Sequence, residues 1–361
     1  MAQDLQRIAR ELDRHQDPII GYDRAGIEDE LDLLKSHLNR AVRGRLSVFV
    51  LFSVKANPNL KLLEWLAGQG VGAEVSSMPE YELAQRAGFR LISATSPGLT
   101  ASNISTLAAR GVLLNIDNVS QLQCVPSGTK IGMRLCLPLD LTGNSQTSGY
   151  SRFGIMLDDL ALEQALRDGN STVTRLHAHF RDIGNASQLT RLAGYLVAAT
   201  RRFPQVVEIN LGGGMTRLYK DPITAGEAWN QCAPIFDDLR SGSTLIVEPG
   251  AQIITKHGYL GTRVVSVTTR PDGRKLVVVD SSKWNLVCWS EYELISPEPT
   301  DEGSPTDVVG STCYEKDVWL ANVQLPEVHP GQKLIFRGLG AYVVSLARKM
   351  HGLPLPNESL I

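Results

Sequence analysis

An α/β fold, a (β/α)8 barrel followed by a C-terminal antiparallel β-domain, is the architecture that three features of this 361-residue sequence predict. Between residues 46 and 248, eight short β-branched runs alternate with longer amphipathic stretches, the pattern of parallel strands joined by crossover helices. Beyond residue 250 the helical periodicity gives way to Val/Ile/Leu-rich runs separated by turns. The chemically distinctive polar residues fall at or just after the ends of the eight runs, where a barrel of this kind gathers its active site.

The expected barrel strands are Leu46–Ser53, Gly72–Val75, Leu91–Ala94, Val112–Asn115, Lys130–Cys136, Val173–His179, Val206–Asn210 and Thr244–Val247. Eight runs suit a closed barrel better than a doubly wound sheet, which commonly has about five or six strands. The segments Leu60–Gly68, Met78–Ala87, Thr100–Ala109 and Gln188–Arg201 have apolar residues at helical spacing. Ser77-Met78-Pro79-Glu80 supplies an N-cap, an early proline and a glutamate in the capping-box position. Arg263–Thr269, Lys275–Val279 and Lys333–Phe336 read as strands of the later domain, with a turn at Pro271-Asp272-Gly273-Arg274. Pro18-Ile19-Ile20-Gly21-Tyr22 can add a strand to it. The expected organisation is an N-terminal segment, 1–25, packing with the β-domain, a barrel over 26–250 and the β-domain over 251–361.

Hydrophobic residues make up 43% of the chain and the formal net charge is -2, so no electrostatic bias toward nucleic acid or anionic membrane exists. No apolar run reaches the roughly 18 residues of a transmembrane helix, and the polar opening does not read as a secretory signal, so a cytoplasmic protein is expected. The five cysteines are scattered, odd in number and unpaired in spacing, which predicts neither disulfides nor structural zinc.

Lys55 follows the first expected strand, Glu74 lies in the second, Arg134 in the fifth, His179 ends the sixth, and Glu248 follows the eighth. A lone lysine after a strand is ordinarily a solvated loop residue. Here it is accompanied by Asn210-Leu211-Gly212-Gly213-Gly214 after the seventh strand, a turn whose backbone N–H groups can cradle a phosphate. Glu248 precedes Pro249-Gly250, so its carboxylate is held before a rigid turn. His177 and His179 alternate onto one face; a two-histidine metal site competes with a stacking role, but no third ligand stands at a telling spacing, so no metal is expected. In the later domain, Gly310-Ser311-Thr312-Cys313-Tyr314-Glu315-Lys316-Asp317 sets a cysteine among small and charged residues, unlike a structural cysteine in an apolar run.

These segments, with Ser53–Asn59, Glu74–Glu80, Ser151-Arg152-Phe153-Gly154 and Gly340-Ala341-Tyr342, resemble in their order the fold-type III pyridoxal 5'-phosphate (PLP) dependent amino-acid decarboxylases, the ornithine and diaminopimelate decarboxylase group. The resemblance implies that Lys55 carries PLP as a Schiff base, His179 stacks on its ring and Glu248 pairs with the pyridine nitrogen. It further implies that Gly212, Gly213, Gly214 and Tyr342 hold the phosphate, and that the enzyme is a homodimer with shared active sites in which Cys313 of the partner subunit is the proton donor. Arg134, Tyr314 and Glu315 are the expected substrate contacts.

Three departures from the family pattern bear on function. Ala251 stands where the family often has a phosphate-binding arginine, and Arg181, in Phe180-Arg181-Asp182, is the expected replacement. Tyr314 follows the cysteine where enzymes that grip a distal amine have an acid, which disfavours free ornithine, lysine or diaminopimelate unless Glu315 or Asp317 compensates. The expected substrate is therefore an amino acid or an amino-acid-containing conjugate from specialised biosynthesis. The alternatives, a fold-type III amino-acid racemase and a non-catalytic PLP-binding regulator, fit Glu248 and the pair Lys55 and Cys313 less well.

Overall fold

The structure is a computed structural model, and it describes residues 2–138 and 151–361. The chain forms two compact units, Glu30–Gln252 and the paired segments Met1–Asp29 and Ile253–Ile361. After β1 (Ile19–Tyr22), which belongs to the second unit, come the eight strands of the first: β2 (Ser47–Ser53), β3 (Gly72–Val75), β4 (Ile92–Thr95), β5 (Leu113–Ile116), β6 (Lys130–Arg134), β7 (Thr172–His177), β8 (Glu208–Asn210) and β9 (Thr244–Val247). They pair in parallel with their sequence neighbours, and β9 closes on β2 with Ser47–Val50 opposite Thr244–Val247. The expected barrel is thus the observed one.

Local chemistry explains the helix starts. Asn59 accepts a hydrogen bond from the Leu62 N–H at 3.1 Å and opens the helix Leu60–Gly68. Ser77 caps Met78–Arg86 by accepting from the Glu80 N–H, while the Glu80 carboxylate reaches back one residue further than a capping box does, to the Ser76 N–H at 2.7 Å. The expected strand Val173–His179 ends early, at His177. Ala178 still donates to the Asn210 carbonyl, but the His179 ring instead accepts from the Gly213 N–H, so the chain leaves the ladder there.

The second unit is a mixed sheet in the order β12 (Glu293–Ser296), β15 (Lys333–Arg337), β10 (Gly258–Thr269), β11 (Lys275–Val279), β13 (Ser304–Val309) and β14 (Val318–Leu325), extended by β1 and β16 (Asn357–Leu360). Most pairs are antiparallel as expected, but β1 runs parallel to β16 and β11 to β13. Neither parallel pair is joined by a hairpin: β1 and β16 come from opposite ends of the chain, and β12 intervenes between β11 and β13, so nothing forces reversal.

The helix α1 (Ala2–Asp13) was among the elements not anticipated. Leu5, Ile8, Ala9 and Leu12 recur at helical spacing and pack with Ile19, Tyr259 and Ile335. Its C-terminal carbonyls are capped by side chains: the Lys333 ammonium donates to the Leu12 and His15 carbonyls, and the Arg263 guanidinium to those of His15 and Gln16. Burial lowers the Lys333 pKa. Lys333→Met is expected to remove one donor from each of the Leu12 and His15 carbonyls, which keep the His15 N–H and Arg263, and to destabilise by about 1 kcal/mol. Thermal denaturation reads this as a Tm decrease; an unchanged Tm refutes the capping role.

Candidate active site

The C-terminal ends of the barrel strands carry the ionisable residues singled out above. Ser53 ends β2, and Val54-Lys55-Ala56 turns away from it as a single 3-10 turn. Register places Ser53 beside Glu74 of β3, and the Lys55 Nζ donates to Glu74 Oε2 at 3.1 Å. Glu74 is buried, and burial raises its pKa although the Lys55 ammonium opposes the shift.

The segment after β9 is interlocked with this turn. The Ser53 N–H donates to the Pro249 carbonyl at 2.9 Å and the Ser53 hydroxyl to the Glu248 carbonyl at 3.1 Å. A Cβ on Gly250 would lie 2.9 Å from the Ala56 Cβ, so glycine permits the close packing. Lys55 and Glu248, nearly 200 residues apart in sequence, are therefore fixed relative to each other by backbone.

Glu248 is 4% exposed and stays anionic. Burial acts to raise its pKa, but the Lys55 ammonium and the hydrogen bond from the Asn210 amide oppose it, and the carboxyl is held below the usual carboxylate range. Asn210 Nδ2 donates to Glu248 Oε1 at 2.6 Å, while Asn210 Oδ1 accepts from the Gly212 N–H at 2.9 Å. One amide thereby joins the carboxylate to the glycine turn. The other carboxylate oxygen, Oε2, lies 3.4 Å from His177 Nε2. His177 is 2% exposed and neutral because burial lowers its pKa, and that contact lacks the alignment of a hydrogen bond, so its ring nitrogens remain unsatisfied.

His179 is likewise neutral, its pKa pushed down to about 3 by burial and by the Lys55 and Arg134 cations. Its Nδ1 accepts from the Gly213 N–H at 3.1 Å, which fixes the proton on Nε2. Gly212 and Gly214 have φ of +66° and +79°, and a Cβ on Gly214 would lie 2.1 Å from the Phe180 carbonyl oxygen. Among the described residues the Gly214 N–H has no partner, so the turn offers a donor to an anion.

Arg134, at the end of β6, donates to Asp117 at 3.0 Å and stacks over the Phe153 ring at 4.5 Å. Phe153 of the Ser151–Gly154 motif thus packs against the Arg134 cation. Arg181 is exposed beside the glycine turn, its carbonyl oxygen 2.9 Å from where a Gly214 Cβ would be.

Cys313, Tyr314, Glu315 and Tyr342 lie in the β-domain. Cys313 and Glu315 are exposed, Tyr314 packs against Trp284, and Tyr342, at a φ of +57°, packs against Trp289. The Asp317 carboxylate is buried and accepts from the Trp284 N–H, the Thr312 N–H and the Thr312 hydroxyl, so it organises the loop.

Sequence reasoning missed the joining role of Asn210, the Asp117 partner of Arg134 and the Lys55–Glu74 pair. The signal for the last was the register of parallel neighbours, which sets each strand end beside the next.

Comparison with known proteins converges on the same chemistry. Residues 31–255 match the family described as pyridoxal-dependent decarboxylase, pyridoxal binding domain. A diaminopimelate decarboxylase of Helicobacter pylori is 27% identical over 87% of this chain and 84% of its own, and a probable chloroplastic diaminopimelate decarboxylase of Oryza sativa subsp. japonica is 30% identical over 85% and 68%. The crystal structure of a Helicobacter pylori diaminopimelate decarboxylase complexed with L-lysine superposes with a TM-score of 0.81 at 23% identity, covering 98% of this chain and 94% of that one. The arginine decarboxylase of Paramecium bursaria Chlorella virus superposes at 0.79 and 20% identity over the full length of both.

The site fits PLP on its own evidence. The glycine turn forms an anion cradle that any side chain would fill, Glu248 presents a carboxylate oxygen suited to a protonated ring nitrogen, and the His177 nitrogens are buried without aligned partners. With a lysine, an anion cradle and a buried carboxylate gathered at the strand ends of a matching barrel, the chain belongs to the pyridoxal-dependent decarboxylases, enzymes that use PLP to remove carbon dioxide from amino acids.

Proposed function

We propose that the protein decarboxylates an amino acid, or the amino-acid unit of a larger conjugate, with Lys55 as the residue that carries the cofactor. The observation that carries this reading is the position of Lys55, 3.1 Å from buried Glu74 on a turn interlocked with Glu248. Bound PLP supplies the electron sink that accepts the pair left when carbon dioxide departs. Glu248 keeps a proton on the ring nitrogen, and the neutral, flat His179 ring packs against the cofactor without competing for that charge. Glu74 receives the Lys55 proton when the amine must act as a nucleophile.

Gly212, Gly213 and Gly214 hold the phosphate together with Tyr342, and Arg181 supplies the cation that Ala251 lacks. Two substitutions test this cradle: Arg181→Ala and Gly214→Ala should both raise the Kd for PLP, the second with a lower Tm because its Cβ meets the Phe180 carbonyl. Unchanged PLP affinity in both, measured by absorbance titration, rules the cradle out.

The active enzyme is a homodimer in which Cys313 of the partner subunit delivers the proton that replaces the carboxylate, and Arg134, Tyr314 and Glu315 contact the substrate. The anionic state of Glu248 favours decarboxylation over the racemase alternative, because a strong electron sink stabilises the charge left by carbon dioxide. Among the described residues no helix is long and apolar enough to cross a membrane.

The test is borohydride reduction of the PLP-loaded protein followed by peptide mapping, alongside carbon dioxide release from a panel of amino acids and conjugates. A pyridoxyl group on Lys55 with release from at least one substrate is expected; a label elsewhere on loaded protein refutes the assignment.

A further inference from the structure

We infer that the β-domain surface around Cys313 is a subsite for a distal carboxylate, so that the preferred substrate is an amino acid ending in an anion rather than an ammonium, with Arg348 as the specificity-determining cation. This rests on the reading above that Cys313 faces substrate. Three segments build the surface, 282–286, 310–317 and 348–351, and two residues lock them together. Asn285 accepts from the Arg348 N–H through its carbonyl at 2.9 Å and from the Met350 N–H through its side chain at 3.0 Å, and its own amide donates to the Met350 carbonyl. Asp317 ties the cysteine loop to the same turn through the Trp284 N–H at 2.9 Å. His351 Nε2 accepts the Cys313 N–H at 3.1 Å, bringing the third segment against the cysteine itself.

The charge on this surface is one-sided. It carries Lys283, Lys316, Arg348 and Lys349 against the carboxylates of Glu315 and Asp317, and both oxygens of Asp317 are already occupied. The Arg348 guanidinium lies over the Trp284 ring, 4.1 Å from its centroid, and Tyr314 packs on the same tryptophan at 4.2 Å. Among the described residues Arg348 has no ion-pair partner. A guanidinium held by stacking and by a clamped backbone, with its donors unspent, is preorganised for a carboxylate. Tyr314 adds a neutral phenol where an ammonium would need an anion. The same face repels a distal amine, so discrimination comes from both attraction and exclusion.

The test compares amino acids that differ only at the far end, on the PLP-loaded enzyme: L-2-aminopimelate, L-norleucine, L-lysine and meso-diaminopimelate, whose distal centre carries both charges. L-2-aminopimelate should exceed L-lysine in kcat/KM by at least about tenfold, in line with one charge-assisted contact. Arg348→Met should raise KM for L-2-aminopimelate about tenfold with a smaller change in kcat, and Arg348→Glu should invert the preference toward L-lysine.

A second readout does not depend on turnover: adipate should slow alkylation of Cys313 by iodoacetamide, cadaverine should not, and Arg348→Met should abolish the protection. Carbon dioxide release that favours L-lysine overturns the inference while leaving the decarboxylase reading intact. Protection by adipate without release from any amino acid overturns that reading while leaving the anion subsite standing. Protection by cadaverine and not adipate overturns the inference whatever the enzyme does.

Discussion

Lys55→Ala is expected to reduce carbon dioxide release by at least about a thousandfold, the scale seen when a covalent catalytic residue is removed. Two effects combine. On the proposed assignment the amine that would carry the cofactor is lost, and only noncovalent contacts would remain to hold PLP. Glu74 is also left buried without its ammonium partner, which lies 3.1 Å away in the native protein. Burial already raises the Glu74 pKa against the opposing pull of Lys55, so removing Lys55 raises it further. A carboxylate with a raised folded pKa costs stability where it must ionise. That cost is absent below its unfolded value near 4.5 and appears as pH rises through the folded value. The variant's Tm should therefore match wild type at about pH 4 and fall below it progressively toward about pH 8. Loss of release together with this pH-dependent Tm gap supports the assignment. A variant that retains more than about a tenth of the activity contradicts it, because covalent attachment cannot then be essential.

The barrel was legible in the sequence because its signal is redundant: eight apolar runs, spaced by amphipathic stretches, leave few alternatives, and the strand ends shift by only a residue or two in the structure. The order of Lys55, His179, the glycine turn and Glu248 along those runs also made the site legible, since parallel strands bring successive C-terminal ends to one rim. What stayed hidden was lateral. That Asn210 bridges Glu248 and Gly212, and that Arg134 is held by Asp117 and Phe153, depend on register and side-chain direction, which a period-two pattern does not encode. The helix α1 was missed for a different reason. Its apolar residues are interspersed with charged ones over only three turns, and the spacing of Leu5, Ile8, Ala9 and Leu12 acquires meaning when β1 and β10 form the surface that it covers. The surroundings of Tyr314 were hidden in the same way, since Trp284 and Arg348 are distant from it in sequence and adjacent in the fold.

Glu248→Gln is expected to lower kcat by about a hundredfold or more while changing KM and PLP affinity little. The substitution keeps the shape and keeps an oxygen to accept the Asn210 amide, now at 2.6 Å from Glu248 Oε1, so the link to the glycine turn survives. It removes the negative charge, which on the proposed assignment would hold a proton on the ring nitrogen and make the bound cofactor a strong electron sink. Because that charge acts mainly as carbon dioxide leaves, the loss should fall on kcat rather than on binding. Stability should respond with the sign opposite to that at Glu74. The native Glu248 pKa lies below its ordinary 4.5, so its ionised form contributes stability above that value and loses it as pH falls through the lowered one. The Tm deficit of Glu248→Gln should accordingly be greatest near neutral pH and shrink under acid. Steady-state kinetics and a pH series of thermal scans check the two halves separately. A kcat within about threefold of wild type would mean that the ring nitrogen needs no anionic partner, and it would return the racemase alternative, whose electron sink is weak, to consideration.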